Sequence, residues 1–427
     1  MRCVGRRPRI GQEYAHPGTA LRQNNGVQVT GSERGLPMLR LRTTTADAGG
    51  RATVPCTEGA DPGRPRSALD AVRHVEALLD EVLDAGMRQA GEVDAVFARD
   101  VAGRVGALVR RGGKRLRTAF VWCGWRAAGG TGDASAVLRT GAALELLQAC
   151  ALIHDDLMDG SPLRRGALAV HVDLARMHRA ARMTGAPESF GAAAAVLAGD
   201  LALTWADDLL TETALESPHG TRLHGEWRAM RGEMVAGQYR DLHAQATGDG
   251  GVDEAVSIAT LKSALYSVER PLALGAALTA AEPRTLDALR RAGRCAGLAF
   301  QFRDDLLGAF GDPAVTGKPA DDDLRGRKLT CLLAVGLRLA EASGDQEAAE
   351  ALAPGAHPRS DADVARMRAA LERTGARAVM ESRIAELAAG GVEHFARTGA
   401  PEAVRREFAA LVRRASGVAL AGTEGDA

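Results

Sequence analysis

Aromatic residues are scarce in this chain of 427 residues, at 4%, so few ring faces are available to shelter a cation. The six cysteines (Cys3, Cys56, Cys123, Cys150, Cys295 and Cys331) are scattered and form no CxxC pair. That usage fits reduced thiols rather than a disulfide framework. Charge of one sign is also missing: Lys plus Arg and Asp plus Glu are both 54, and the formal net charge is zero. No global basic field for nucleic acid exists, so any anion must be held by a local site. No uninterrupted apolar run reaches the length of a membrane span, and the N-terminus lacks the apolar stretch of a secretory signal. These absences predict a cytoplasmic protein with no nucleic-acid partner and no stable membrane insertion. Strand-like alternation is hard to find, and no nucleophile elbow or triad is evident.

What the chain does contain is helix-forming sequence. The hydrophobic fraction of 46% supports a sizeable core. Residues 1–65, rich in Gly, Arg, Thr and Pro, carry no sustained period and are expected to form a disordered leader, with Met38 an internal start candidate. From Ser67 the composition shifts to Ala, Leu, Arg and Glu. Apolar positions recur at three and four, as in Leu69, Val72, Val75, Leu78, Leu79 and Val82. Similar patterns cover 114–128, 134–158, 191–215, 222–247, 253–280, 284–307, 329–342, 361–373 and 376–397. The expected architecture is all-α: a single large helical bundle over 66–420 with a central active-site cavity, and a frayed tail at 421–427.

Leu152-Ile153-His154-Asp155-Asp156-Leu157-Met158-Asp159 closes a long apolar helix. Asp155 and Asp159 are four apart and share one helix face. Like charges at that spacing repel, and carboxylates at a helix C-terminus oppose the macrodipole. A divalent cation would relieve both penalties, and hard oxygen ligands suit Mg²⁺. One such cluster alone is equally a solvated helix end. A second, in Phe300-Gln301-Phe302-Arg303-Asp304-Asp305, again places adjacent carboxylates near the end of an apolar helix. Two clusters facing each other across a bundle can hold metal ions around a diphosphate. Cations for that anion stand nearby in sequence. Gly112-Gly113-Lys114-Arg115-Leu116-Arg117 opens a helix. Leu163-Arg164-Arg165-Gly166 follows the first cluster, and Gly317-Lys318-Pro319 through Lys328 follows the second.

With these segments in this order, the chain resembles the polyprenyl synthetase family, the trans-isoprenyl diphosphate synthases, over roughly 68–415, and looks most like bacterial geranylgeranyl diphosphate synthases. The resemblance implies a homodimeric prenyltransferase of the isoprenoid synthase fold. Its reaction would be condensation of isopentenyl diphosphate with an allylic diphosphate, giving a polyprenyl diphosphate, geranylgeranyl diphosphate being the expected product. Asp155, Asp156, Asp159 and Asp304 would hold Mg²⁺, about three ions per site, with Asp305 completing the second motif. Lys114, Arg117, Gln148 and Arg165 would bind isopentenyl diphosphate. Arg164, Lys262, Lys318 and Lys328 would contact the allylic diphosphate, and Gln238 and Gln301 would sit near the reacting carbons. Departures from the family pattern are Gly308 where many members have Asp, Gln148 in place of histidine, Leu168 in place of proline, and Asp321 and Arg327 in place of loop glycines.

Product length should depend on the helix before Asp155, where Cys150 and Ala151 are small. Two rival readings remain at this level. A class I terpene cyclase also ionises allylic diphosphates, but relies on more aromatics and on a metal motif absent here. A non-catalytic subunit modulating an active synthase is the other.

Overall fold

The structure, a computed structural model, describes residues 64–248, 250–311, 322–354 and 360–418. Lys318, nearly all of the expected leader and the tail at 421–427 lie outside these residues.

The helical periods become helices with ordinary start signals. The Ser67 side chain accepts from the Asp70 N–H and caps α1 (Ala68–Val93), which buries Val75, Leu79 and Leu83 along one face. After a π-helical turn at Ala98–Ala102 come α2 (Gly103–Arg110) and α3 (Leu116–Ala127). Next is α4 (Ser135–Met158), apolar all round in its middle, with Ala142, Ala143, Leu144, Leu146 and Leu147 wholly buried. Glu145, buried in that middle stretch, accepts from Arg115 Nη1 at 2.7 Å.

A two-stranded hairpin (β1 Leu163–Arg164, β2 Ala167–Leu168) leads to α5 (Val170–Ala180), α6 (Pro187–Glu216) and α7 (Gly220–Thr247). α8 (Val252–Ile258), a π-helical segment (Ala259–Glu269) and α9 (Arg270–Ala277) run on as one rod. α10 (Pro283–Phe310), α11 (Asp322–Arg325), α12 (Cys331–Ser343), α13 (Gln346–Leu352), α14 (Asp361–Arg373), α15 (Ala376–Ala396) and α16 (Glu402–Ser416) complete the described set.

α4 packs along α6, and α10 packs against both α15 and the π-helical segment. α3 and α9 cross at paired glycines: a Cβ on Gly124 would overlap the Leu272 carbonyl, and one on Gly275 would overlap that of Val121. The bundle therefore brings the ends of α4, α7 and α10, together with the π-helical segment, to one region.

The stated periods did not cover α2, α5, α11, α13 and α16, although α2, α5 and α16 each carry a clear apolar stripe. Two helices pass a length-and-composition test for a membrane span, a test that core helices of a bundle also pass. By length and composition alone, Ser135–Met158 and Pro187–Glu216 could each cross a bilayer. Counting uninterrupted apolar runs missed them because single polar residues such as Glu145 and Asp200 punctuate both. In α4, 67% of the apolar window is buried inside the protein; in α6 the figure is 33%.

Candidate active site

Three carboxylates of the first cluster leave α4 in different directions. Asp156 is buried and receives Arg164, with Nε at 2.8 Å and Nη2 on the same oxygen. Burial dominates and raises its pKa. It is thus bound up in holding Arg164. Asp155 Oδ2 lies 3.6 Å from the same Arg164 Nη2, and Asp155 and Asp159 also meet lysines. Lys262 Nζ lies 3.1 Å from Asp155 Oδ1, and Lys328 Nζ donates to Asp159 Oδ2 at 2.7 Å. Burial pushes Asp155 up, yet Lys262, Lys328 and Arg164 together hold it below the usual carboxylate value. Asp155 Oδ1 is buried and accepts no well-directed hydrogen bond despite the nearby ammonium.

Lys262 comes from the π-helical segment, a geometry that often marks functional positions. Gly237 on α7 permits the approach, since a Cβ there would overlap the Lys262 backbone nitrogen. The lysine also donates to Asp241 Oδ2 at 2.7 Å. Burial opposes its charge, but Asp155 and Asp241 raise its pKa, so it stays protonated. Asp241 went unremarked in the sequence. The available signal was Gly237-Gln238 followed three residues later by a carboxylate on the same helix. Gln238 itself donates to Met158 Sδ at 3.5 Å, at the end of α4.

On the second cluster, Asp305 is buried, accepts from Gln301 Nε2 at 2.7 Å, and receives the Cys331 backbone N–H at 3.2 Å at the start of α12. Burial pushes its carboxyl up to about 8, with Asp323 and Asp304 adding to the rise. Gln301 is therefore engaged with its own helix. Asp304 is half-buried beside it. Lys328 lies 2.7 Å from Asp159 of the first cluster, and its Nζ is 3.8 Å from Oδ1 of Asp323 on α11, a charge that also acts on Asp305. Lys262 and Lys328 side chains are 24% and 25% exposed, so both reach solvent. A separate cavity of about 470 Å³, lined by Tyr239, Arg240, His243 and Glu254, lies further along α7.

The basic residues divide at the hairpin. Arg165 and Gly166 both have positive φ, 52° and 72°, giving the two-residue turn that joins β1 to β2. Arg164 consequently faces the first cluster, while Arg165 donates to the Leu108 carbonyl at 3.1 Å and lies over Gly113. Lys114 is exposed on that same glycine turn. Arg117 donates to Ser267 Oγ at 2.9 Å, and its guanidinium carbon is 4.3 Å from the Tyr266 ring centroid. Tyr266 Oη there, and Gln148 Oε1 on α4, are buried with no hydrogen-bond partner among the described residues. Tyr266 and Ser267 were also missed, because nothing in their sequence neighbourhood marks a π-helical turn. Cys150 is buried with its Sγ 3.7 Å from His154 Nδ1, and burial pushes its thiol up to about 12. Ala151 beside it is half-buried.

The donor set admits Mg²⁺. Among the described residues no three His, Cys, Asp or Glu side chains converge on one point. Mg²⁺ does not require that, since it is commonly held by one or two carboxylates plus phosphate oxygens and water. Asp155 and Asp159 offer such carboxylates, one with an oxygen short of partners.

Acidic helix ends facing lysines and arginines inside an all-helical bundle define an enzyme that handles diphosphates. The polyprenyl synthetase profile matches residues 101–371. The (2E,6E)-farnesyl diphosphate synthase of Mycobacterium tuberculosis is 32% identical over 292 residues, covering 68% of this chain and 75% of that protein. The geranylgeranyl diphosphate synthase of the same organism is 33% identical over 300 residues, covering 70% and 75%. Among solved structures, geranylgeranyl pyrophosphate synthase from Corynebacterium glutamicum, complexed with isoprenyl diphosphate and magnesium, superposes with a TM-score of 0.77. It shares 39% identity, covering 81% of this chain and 98% of that one. The chain belongs to the polyprenyl synthetase family, and it is a trans-prenyltransferase.

Proposed function

We propose that this chain condenses isopentenyl diphosphate with an allylic diphosphate, using Mg²⁺, and that its main product is geranylgeranyl diphosphate. The observation that carries the reading is Lys328, which contacts Asp159 of one acidic helix end and approaches Asp323 beside the other. Both clusters thus border one cleft.

Bound there by Asp155, Asp159 and Asp304, about three Mg²⁺ ions would neutralise the leaving diphosphate. Lys262, Lys328 and Arg164 stand where they can take the allylic diphosphate, and Lys318 is assigned with them from the sequence. Asp156 is better described as the anchor of Arg164 than as a metal ligand. Lys114, Arg117 and Arg165 form the second anion subsite, for isopentenyl diphosphate. Gln148, with its orphaned amide oxygen, is assigned to that subsite from the sequence, and Gln238, which donates to Met158 Sδ at the end of α4, to the reacting end of the allylic substrate. Asp305 and Gln301 support the second cluster from within.

In the reaction the allylic C1–O bond breaks and its electron pair departs with the diphosphate. The isopentenyl double bond attacks C1, and a proton lost from the adduct passes to the departing diphosphate. Fixed charges held in place before reaction account for rate enhancement without a protein nucleophile.

Relatives of nearly equal similarity make different chain lengths by name, so the twenty-carbon product rests on the small Cys150 and Ala151. The exposed apolar residues of α6, Val196 at 43% and Leu197 at 59%, support a homodimer formed through that helix. Free thiols at Cys123, Cys150, Cys295 and Cys331 fit a reducing, cytoplasmic setting.

Incubating the purified chain with Mg²⁺, isopentenyl diphosphate and each allylic starter, then measuring product length, tests this directly. Asp155→Ala should lower turnover on the order of a hundredfold or more with helical circular dichroism unchanged. Near-normal turnover in that variant would remove the metal assignment. Product formed without isopentenyl diphosphate would favour a cyclase. An inactive but folded chain would favour a regulatory subunit.

A further inference from the structure

Lys328 stands between two neighbours in sequence that are anchored in different ways. On one side the Leu329 side chain packs over Gly250, where an added Cβ would overlap Leu329 Cδ2. On the other stands Arg327, whose φ is 45°. Two backbone hydrogen bonds account for that angle. The Arg327 N–H donates to the Leu324 carbonyl at 3.2 Å, and the Lys328 N–H donates to the Asp323 carbonyl at 3.1 Å. The nested pair ends α11 in a Schellman motif, which needs a left-handed residue at position 327. Glycine meets that need without strain; arginine, which has a Cβ, does not.

A strained residue persists only where its surroundings fix it, and here its own side chain does so. Arg327 reaches α13, donating through Nη1 to the Ala353 carbonyl and through Nη2 to the Ala351 carbonyl at 3.3 Å. Ala351 lies in the last turn of α13 and Ala353 is its C-cap, where a helix leaves its carbonyls without partners of its own. The negative end of the helix dipole favours a cation there. Burial pulls the guanidinium's pKa down, with Asp363 acting in the other direction, so the hook is made against a desolvation cost.

We propose that Arg327 is a positioning residue for the allylic half of the reaction: hooked on the end of α13, its guanidinium holds the left-handed turn that aims Lys328 at Asp159. Because it concerns Lys328, the assignment rests on the proposed function. A glycine at 327 would let the turn sample other conformations. The arginine removes that freedom, so the lysine is in place, 2.7 Å from Asp159, before a diphosphate arrives.

The test is steady-state kinetics of purified variants with Mg²⁺, varying the allylic diphosphate and isopentenyl diphosphate in turn, beside amide hydrogen exchange without substrate. Arg327→Ala keeps the strained angle and loses the hook; Arg327→Gly loses both. In each, KM for the allylic diphosphate should rise about tenfold. KM for isopentenyl diphosphate, assigned to Lys114, Arg117 and Arg165, should change by less than about twofold. The Lys328 amide should exchange faster while the amides of α4 do not. Arg327→Gly accepts the turn without strain, so it supplies the comparison even if Arg327→Ala fails to fold. A parent-like allylic KM in Arg327→Gly overturns the proposal, because it would mean that the hook only offsets strain. An equal rise in both KM values also overturns it, as a sign of general loosening. Lys328→Ala separates the two levels of the claim. If that variant leaves the allylic KM unchanged, the reading of Lys328 itself falls. If it raises the allylic KM while Arg327→Gly does not, only the part given to Arg327 is lost.

Discussion

Asp305 shows how little a carboxylate's sequence position says about its charge. It sits beside Asp304 in one motif, yet it is buried, satisfied by Gln301 and the Cys331 N–H, and pushed up to about 8. Folding therefore favours its protonated form. In metal-free buffer its contribution to stability declines as pH rises from the ordinary value of 3.8 to about 8, and is level beyond. Asp305→Asn should match the parent near pH 4 and become progressively more stable than it up to pH 8, as read by denaturant melts in EDTA. A constant difference across that range would mean that burial does not control this group. Asp155 runs the other way, since its lysine and arginine neighbours hold it low. Asp155, Asp159 and the arginine pair were legible as a chemical pattern. Asp241, Tyr266 and Asp323 were not, because each acquires its role from a partner on another element.

At the scale of elements, α4 is core of the bundle and carrier of the first cluster, and on the proposed function it would also, as a third task, wall the growing isoprenoid tail. Its apolar middle predicted the first, and its terminal aspartates the second. The third depends on which way Cys150 points, and its Sγ lies toward His154 and α6. Cys150→Phe should fill that space and shift the product toward fifteen carbons, measured by chromatography of the dephosphorylated prenyl alcohols. An unchanged profile would place the wall elsewhere. The hairpin turn and the π-helical segment carry comparable weight. The turn sends Arg164 to Asp156 and Arg165 to the Leu108 carbonyl, and the segment carries Lys262 to Asp155. Neither was visible in the periodicity, since two-residue strands have no period to detect and a π-helical turn differs from α by one residue of register.

For the whole molecule, α6 is the more exposed of the two long apolar helices, its apolar window only 33% buried within the protein against 67% for α4. If this face pairs with its copy, Leu197→Glu places like charges against each other across a two-fold axis. The mass by light scattering should then fall from dimer to monomer, and a dimer persisting in that variant would move the interface off α6. Composition and the three-to-four period determined the all-helical class, and two acidic motifs followed by basic segments determined the diphosphate chemistry, because both are local properties of the chain. Tertiary structure alone decided which carboxylate serves an arginine, which faces a lysine, and which is kept protonated. Those outcomes depend on distance and burial between elements far apart in sequence, and electrostatic energy changes steeply with both.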